Sequence, residues 1–164
     1  MDEHIEKIYS LISKFDTAML VTHRPDGIDH ARPMAIAKVE PNCDVWFFSG
    51  GVSEKASEIE GDSKVLLAFQ KDHSVYVSLT GRAQLIADST QAVALWKPAY
   101  KVWFPQGLDD PNLLLIRVNA LSAEYWDNTG FKGVQYLFAA AKAFATGTTP
   151  KVNEPEQHGK GDLK

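Results

Sequence analysis

Five histidines, a single cysteine and one arginine on an apolar strand face are the residues of this sequence that bear first on chemistry. Arg32 alternates with Met34 and Ile36, so strand geometry turns its charge toward apolar company. A charge so placed needs an anionic partner, which is either a carboxylate of the chain or a bound anion. The histidines (His4, His23, His30, His73 and His158) form no H-E-x-x-H and stand far from Cys43. No metal site is therefore predicted. Cys43, beside Asn42 in a turn, reads as an ordinary, partly exposed thiol without a neighbouring base. No Walker loop, G-x-G-x-x-G or G-x-S-x-G occurs, which removes the simplest support for nucleotide hydrolysis, Rossmann dinucleotide binding and α/β-hydrolase chemistry.

The elements that position these residues follow from periodicity. Ile5, Ile8, Tyr9, Ile12 and Phe15 recur at helical spacing and open the chain with an amphipathic helix. Strands are then expected over 17–22, 28–39 and 45–49, separated by Pro25-Asp26-Gly27 and Pro41-Asn42 turns. That succession means antiparallel pairing. Ser53 caps a short helix over 54–60, and 65–70 returns to strand. Val75, Val77, Leu79, Ala83 and Leu85 point to one face, while Tyr76, Ser78, Thr80, Arg82 and Gln84 point to the other. Gly81 between them marks a bulge or sharp bend of the kind barrel closure needs.

A short helix at 92–96, an irregular loop over 98–111 and a long strand over 113–125 come next. Leu113 to Ile116 is apolar on both faces, as suits a strand covered on each side. Val134, Leu137, Phe138, Ala141 and Ala145 form a helical stripe. Residues 1–145 make a single domain, and 146–164 is expected to be a flexible tail without periodicity. About six strands with few free edges favour a small barrel over an open sheet.

Composition bounds the class. The chain has 164 residues, 45% of them hydrophobic and 23% charged, the balance of a globular protein with a proper core. A net charge of −4 argues against a nucleic-acid partner. One cysteine allows no internal disulfide. No apolar run approaches bilayer length, and no signal peptide is read at the start, so a cytoplasmic protein without membrane partners is expected.

The segments His30-Ala31-Arg32-Pro33-Met34-Ala35, Val45-Trp46-Phe47-Phe48-Ser49 and Ser53-Glu54-Lys55 resemble the pyridoxamine 5′-phosphate oxidase-like superfamily of flavin-binding split barrels. Trp103-Phe104-Pro105, Asp109-Asp110-Pro111 and Ala123-Glu124-Tyr125-Trp126-Asp127 resemble its general stress protein branch in particular. The resemblance implies a mainly β fold with flanking helices, a six-stranded antiparallel split β-barrel of the FMN-binding type. It also implies a homodimer holding FMN at its interface, with FAD, haem or a deazaflavin as alternatives. Arg32, Ser49 and Lys55 then grip the flavin phosphate, a dianion that charge-assisted donors suit, with help from the N-terminus of the Ser53 helix. Pro33, Met34, Ala35 and Phe48 lie along the isoalloxazine ring. Tyr76 stands where the oxidases place a flavin-touching Gln, and Trp126 matches a late Trp near the flavin. Trp103 and Phe104 either cover the ring or only anchor a loop.

The oxidases follow that Trp with an Arg-Leu-His element for their substrate. Here the chain reads Asn128-Thr129-Gly130-Phe131-Lys132-Gly133, so vitamin B6 oxidation is not expected. A flavin-dependent oxidoreductase of unknown substrate is the leading expectation, with no catalytic acid or base identified. The alternatives are a non-catalytic flavin-binding or sensing module in stress response, and a cofactor-free barrel used for protein interaction.

Overall fold

In the computed structural model, which describes residues 2–129, 131–149 and 158–164, six strands close into an antiparallel barrel. They are β1 (Thr17–His23), β2 (Asp29–Val39), β3 (Val45–Gly50), β4 (Lys64–Lys71), β5 (Val75–Ile86) and β6 (Leu113–Asp127). The sheet order is β3-β2-β1-β4-β5-β6, and pairing of β3 with β6 closes the ring. Strand boundaries agree with the sequence expectation to within a few residues because each turn carries its own chemistry. Gly27, for example, takes φ +81 between β1 and β2, a conformation open to glycine at little cost.

The expected bend at Gly81 is present. The β5–β6 register shifts there, with Thr80 opposite Ser122 and Gly81 opposite Ala120. A Cβ on Gly81 would stand 2.6 Å from the Asn119 carbonyl oxygen, so only glycine admits the close approach. Past this bulge the first half of β6 pairs with β3, and the second half is left with a free edge.

That edge is taken by the chain end, which corrects the expectation of a structureless 146–164. Strand β7 (His158–Asp162) pairs antiparallel with Ser122 to Trp126 of β6. Its sequence shows no apolar alternation because glycines occupy the positions that face the barrel. A Cβ on Gly159 would meet the Tyr125 ring at 2.6 Å, and one on Gly161 the His4 ring at 3.3 Å. Leu163 is buried and its N–H bonds to the Leu121 carbonyl. Residues 150–157 lie outside the described residues.

Helix α1 (Glu3–Ile12) is capped by the Asp2 carboxylate on the His4 N–H and drives Ile8, Leu11 and Ile12 into the barrel core. Helix α2 (Glu54–Gly61) is capped by Ser53 as expected, and buries Ala56 and Ile59. Helix α3 (Ser89–Leu95) is the short helix expected at 92–96, begun three residues earlier, and two 3-10 turns, Pro98–Val102 and Gly107–Asp109, give the expected irregular loop its form. They cover the outer face of the β3–β6 seam. Trp46, Phe48 and Leu115 pack there against Ala92, Leu95, Tyr100 and Phe104 in a cluster separate from the barrel core. The two-sided apolarity of the start of β6 therefore serves the chain's own helices at Leu115 and the barrel interior at Ile116.

One expectation is corrected in burial. Cys43 is fully buried rather than partly exposed, its thiol donating to the Ile5 carbonyl. Burial, with the neighbouring Asp44 charge, pushes that thiol up to about 11, so it has little thiolate character near neutrality. The stripe on helix α4 (Phe131–Thr146) does not form a core face: Leu137 and Phe138 are exposed. The side chain of Val134 lies outside the described residues. Among the described residues no helix is long and apolar enough to cross a membrane.

Candidate functional site

Strands β2 and β3 and the start of α2 converge on one side of the barrel around a pocket of about 390 Å³, within the range that small-molecule sites occupy. Arg32, Pro33, Met34 and Ala35 line it from β2, Phe48, Ser49 and Gly50 from β3, and Ser53 and Lys55 from the loop and first turn of α2. Seven of the nine expected cofactor residues are thus brought together by the fold. Tyr76 and Trp126 are not. They sit opposite one another in the β5–β6 register, at the far end of β6 from Leu115 and the pocket.

Strand parity sorts the β3 residues. Val45, Phe47 and Ser49 face inward, and the Ser49 side chain is almost wholly enclosed. Its hydroxyl donates to the Gly50 carbonyl at 3.2 Å and keeps lone pairs for another donor. Phe48 faces outward into the aromatic cluster, 4.8 Å between centroids from Tyr100 and at right angles to Trp96. This packing fixes the Phe48 ring among the aromatic residues that line the pocket together with Arg32, Ser49 and Lys55. Phe104 is buried in the same cluster, while Trp103 stands at the rim 64% exposed. Both line the pocket.

The loop after β3 is shaped by Asn112, which sequence reading missed. Its side-chain oxygen accepts from the Val52 N–H at 2.8 Å, and its backbone carbonyl accepts from the Gly51 N–H at 2.8 Å. A Cβ on Gly50 would stand 2.7 Å from Asn112 Nδ2. Gly50-Gly51 was legible as a break between elements. Its demand for close approach was not, because the neighbour arrives from sixty residues along the chain.

The inward charge of Arg32 finds a carboxylate of the chain. Its Nη2 donates to Glu58 Oε2 at 2.7 Å, and its Nη1 donates to the Thr22 hydroxyl at 2.5 Å and weakly to the Leu20 carbonyl at 3.5 Å. Thr22 is fully buried and donates its own proton to Glu58. The second Glu58 oxygen lies 3.1 Å from His30 Nδ1. Burial pushes the Glu58 carboxyl up, but hydrogen bonds from Thr22, His30 and Arg32 and the Arg32 charge outweigh it and hold it at about 2.

Lys55 has no such compensation. Among the described residues no carboxylate lies within ion-pair distance of its ammonium. Burial and then the charge of Arg32 hold its ammonium below the ordinary lysine range. A half-buried cation beside another cation, both lining one pocket, is the arrangement a bound anion would relieve. Lys55→Gln is accordingly expected to weaken binding of a phosphorylated ligand about tenfold. It removes a charge the fold disfavours, so the thermal midpoint of the ligand-free protein should not fall. A loss of stability together with unchanged affinity would show Lys55 to be structural.

The remaining charged clusters lie elsewhere. Asp44 accepts from Arg117 and the Ala120 N–H, Lys7 bonds Asp127, and His158 bonds Glu124 while its ring stacks on Trp126 with centroids 5.3 Å apart. Among the described residues no group of three or more His, Cys, Asp or Glu could hold a metal ion.

A family model described as pyridoxamine 5′-phosphate oxidase like matches residues 3–151 of the chain. Among solved structures, the general stress FMN/FAD binding protein of Xanthomonas citri is 29% identical, covering 79% of this chain and 92% of that one, with a TM-score of 0.67. General Stress Protein 26 of Bacillus anthracis is 27% identical over 74% of this chain and 92% of that one, also at 0.67. A protein from Jannaschia sp. CCS1 is 21% identical over 99% of each chain, with a TM-score of 0.74, which shows a shared fold. None of the curated proteins matches the chain.

Proposed function

The chain belongs to the pyridoxamine 5′-phosphate oxidase-like family, and from that premise we propose that it is a general stress protein that binds FMN between two copies of itself. The observation that carries this reading is the pairing of the uncompensated Lys55 with Arg32 in one pocket that Phe48, Tyr100, Trp103 and Phe104 also line. A phosphate dianion answers the first feature and a planar ring the second. The start of α2 adds backbone N–H donors at the same end, and the buried Ser49 hydroxyl would join them by turning its proton from the Gly50 carbonyl, which it holds at 3.2 Å. Pro33, Met34, Ala35 and Phe48 suit the ring.

FMN is favoured over FAD by what lies next to the phosphate end. Ser53 also borders a neighbouring open groove of about 590 Å³, whose other lining residues are Gly51, Val52, Glu54, Ser57 and Glu60. A second phosphate there would meet two carboxylates and no cation. Tyr76 and Trp126 belong to the reading only through the dimer. They stand away from their own pocket, and Trp126 presents an exposed indole backed by His158, so a second copy would bring them to the ring by a two-fold arrangement.

Bound flavin supplies hydride and electron transfer, and the protein's part is to hold it and shape access. The titratable side chains lining the pocket are Arg32, Lys55 and Tyr100, and burial raises the Tyr100 hydroxyl above its ordinary value. Of these, Lys55 gives up its proton most readily, because burial and the Arg32 charge lower it, and in this reading its ammonium is committed to the phosphate rather than to a substrate. That favours an oxidoreductase whose substrate takes hydride or electrons without a proton from this wall. It equally suits the second reading, a non-catalytic flavin-binding or sensing module.

Titration with FMN, FAD and riboflavin, followed by flavin fluorescence and light scattering, tests the binding reading. Tightest binding of FMN by a dimer is expected. A monomer that takes up no flavin would overturn it. Anaerobic NADH or NADPH then separates the two functions: rapid bleaching of the visible flavin band supports the enzyme, and a persistent yellow colour supports the module.

A further inference from the structure

We propose that Glu58 is a positioning residue that pre-sets the Arg32 guanidinium for a bound phosphate. The inference rests on the phosphate reading above and deepens it. Glu58 lies in the middle of α2, with its side chain only 9% exposed, and the described residues bring it no closer to the pocket than through Arg32, Thr22 and His30. Yet it commits both carboxylate oxygens: one to Arg32 Nη2 and the Thr22 hydroxyl, the other to His30 Nδ1.

The geometry explains what this achieves. Arg32 is held by two of its nitrogens at once, Nη2 on Glu58 and Nη1 on Thr22. Thr22 in turn donates to the same Glu58 oxygen, so guanidinium, hydroxyl and carboxylate form a closed triangle. Register makes the triangle possible: Arg32 stands opposite Leu20, and Thr22 opposite His30, so Thr22 lies diagonal to Arg32 on the inward face. Two strands and a helix therefore fix a side chain that would otherwise sample many rotamers. Its Nε makes no hydrogen bond among the described residues, which leaves donor capacity for an anion in the pocket. An arginine already immobilised loses little further freedom on binding.

A different role would be to damp positive charge. The local sum is two cations against one carboxylate, and removing Glu58 would then strengthen binding of a dianion by simple attraction. The two roles make opposite predictions. If Glu58 positions Arg32, Glu58→Gln, which keeps an acceptor oxygen, should bind FMN within about threefold of the unmodified protein, while Glu58→Ala should bind about tenfold more weakly. Riboflavin, which lacks the phosphate, should bind all three alike. In an Arg32→Ala background, Glu58→Ala should add nothing further.

Equal or tighter FMN binding by Glu58→Ala overturns the positioning role in favour of charge damping. Parallel losses of FMN and riboflavin overturn it in favour of a structural one. Should Arg32→Ala itself leave FMN affinity unchanged, the phosphate reading falls and this inference with it. Arg32→Ala weakened beside Glu58→Ala unweakened sinks this inference alone.

Discussion

Replacing Arg32 by alanine is expected to raise the FMN dissociation constant by about two orders of magnitude, because a hydrogen bond to a charged group is worth about 1.5–3 kcal/mol and the guanidinium also supplies long-range attraction. The same change is expected to destabilise the ligand-free protein by about 3 kcal/mol, since Glu58 is then left largely enclosed without its cation. That corresponds to a thermal midpoint lower by about 10 °C in a chain of this length. The two losses must be separated, and riboflavin does so. Folded Arg32→Ala protein should bind riboflavin as the unmodified protein does. Lys55→Gln, by contrast, should lose phosphate affinity with no cost in stability. Under the phosphate reading the two cations would carry different obligations, Arg32 to the fold and the ligand and Lys55 to the ligand alone.

The Arg32–Glu58 pair also contributes to the pH dependence of stability. The Glu58 carboxyl is held at about 2 when folded, against 4.5 as its ordinary value. A depressed folded value means that the unfolded chain binds the proton more readily, so the contribution to stability is complete above about pH 4.5 and is lost as the pH falls toward 2. In Arg32→Ala the carboxyl should rise toward its ordinary value, and acid unfolding should lose much of its steepness in that window.

What the sequence made legible follows from the range of the forces involved. β5 could be read face by face because alternation and a lone Gly81 are local signals, and the closing bulge lies where they put it. Arg32 announced its need for an anion, since an inward charge is costly anywhere. Its partner was hidden, because α2 carries several carboxylates and only the docking of that helix on β1 selects Glu58. Helix α4 shows the opposite limit. Periodicity marks an apolar face but says nothing of what covers it, and Leu137 and Phe138 remain exposed. β7 was invisible for a third reason. A strand that lies flat on Tyr125 and His4 needs glycine at the inward positions, and those glycines erase the alternation by which strands are recognised.

Asp44→Ala is expected to cost about 3–5 kcal/mol, as removing one partner of a buried ion pair does. Asp44 is fully buried just before β3, where no sequence signal marked it. Its carboxylate accepts from Arg117 Nη2 at 2.8 Å and from the Ala120 N–H at 2.9 Å, and lies 3.5 Å from the Lys164 ammonium. These three partners are the β3–β6 seam, the bulge of β6 and the chain end, so one side chain ties together the closure of the barrel and the docking of β7. Removing it strands a buried N–H and, among the described residues, leaves the Arg117 side chain with its stacking on Trp46, 5.3 Å from the ring. Trp46 in turn belongs to the cluster that braces Phe48 against the pocket. The variant should therefore unfold at lower denaturant, and at temperatures where it stays folded its amides in β6 near Ala120 should exchange faster. Unchanged protection at Ala120 would show that the seam closes without Asp44. Asp44→Asn, which keeps an acceptor for the Ala120 N–H but loses the charge facing Arg117 and Lys164, should fall between, and the gap between the two variants measures how much of the closure is electrostatic.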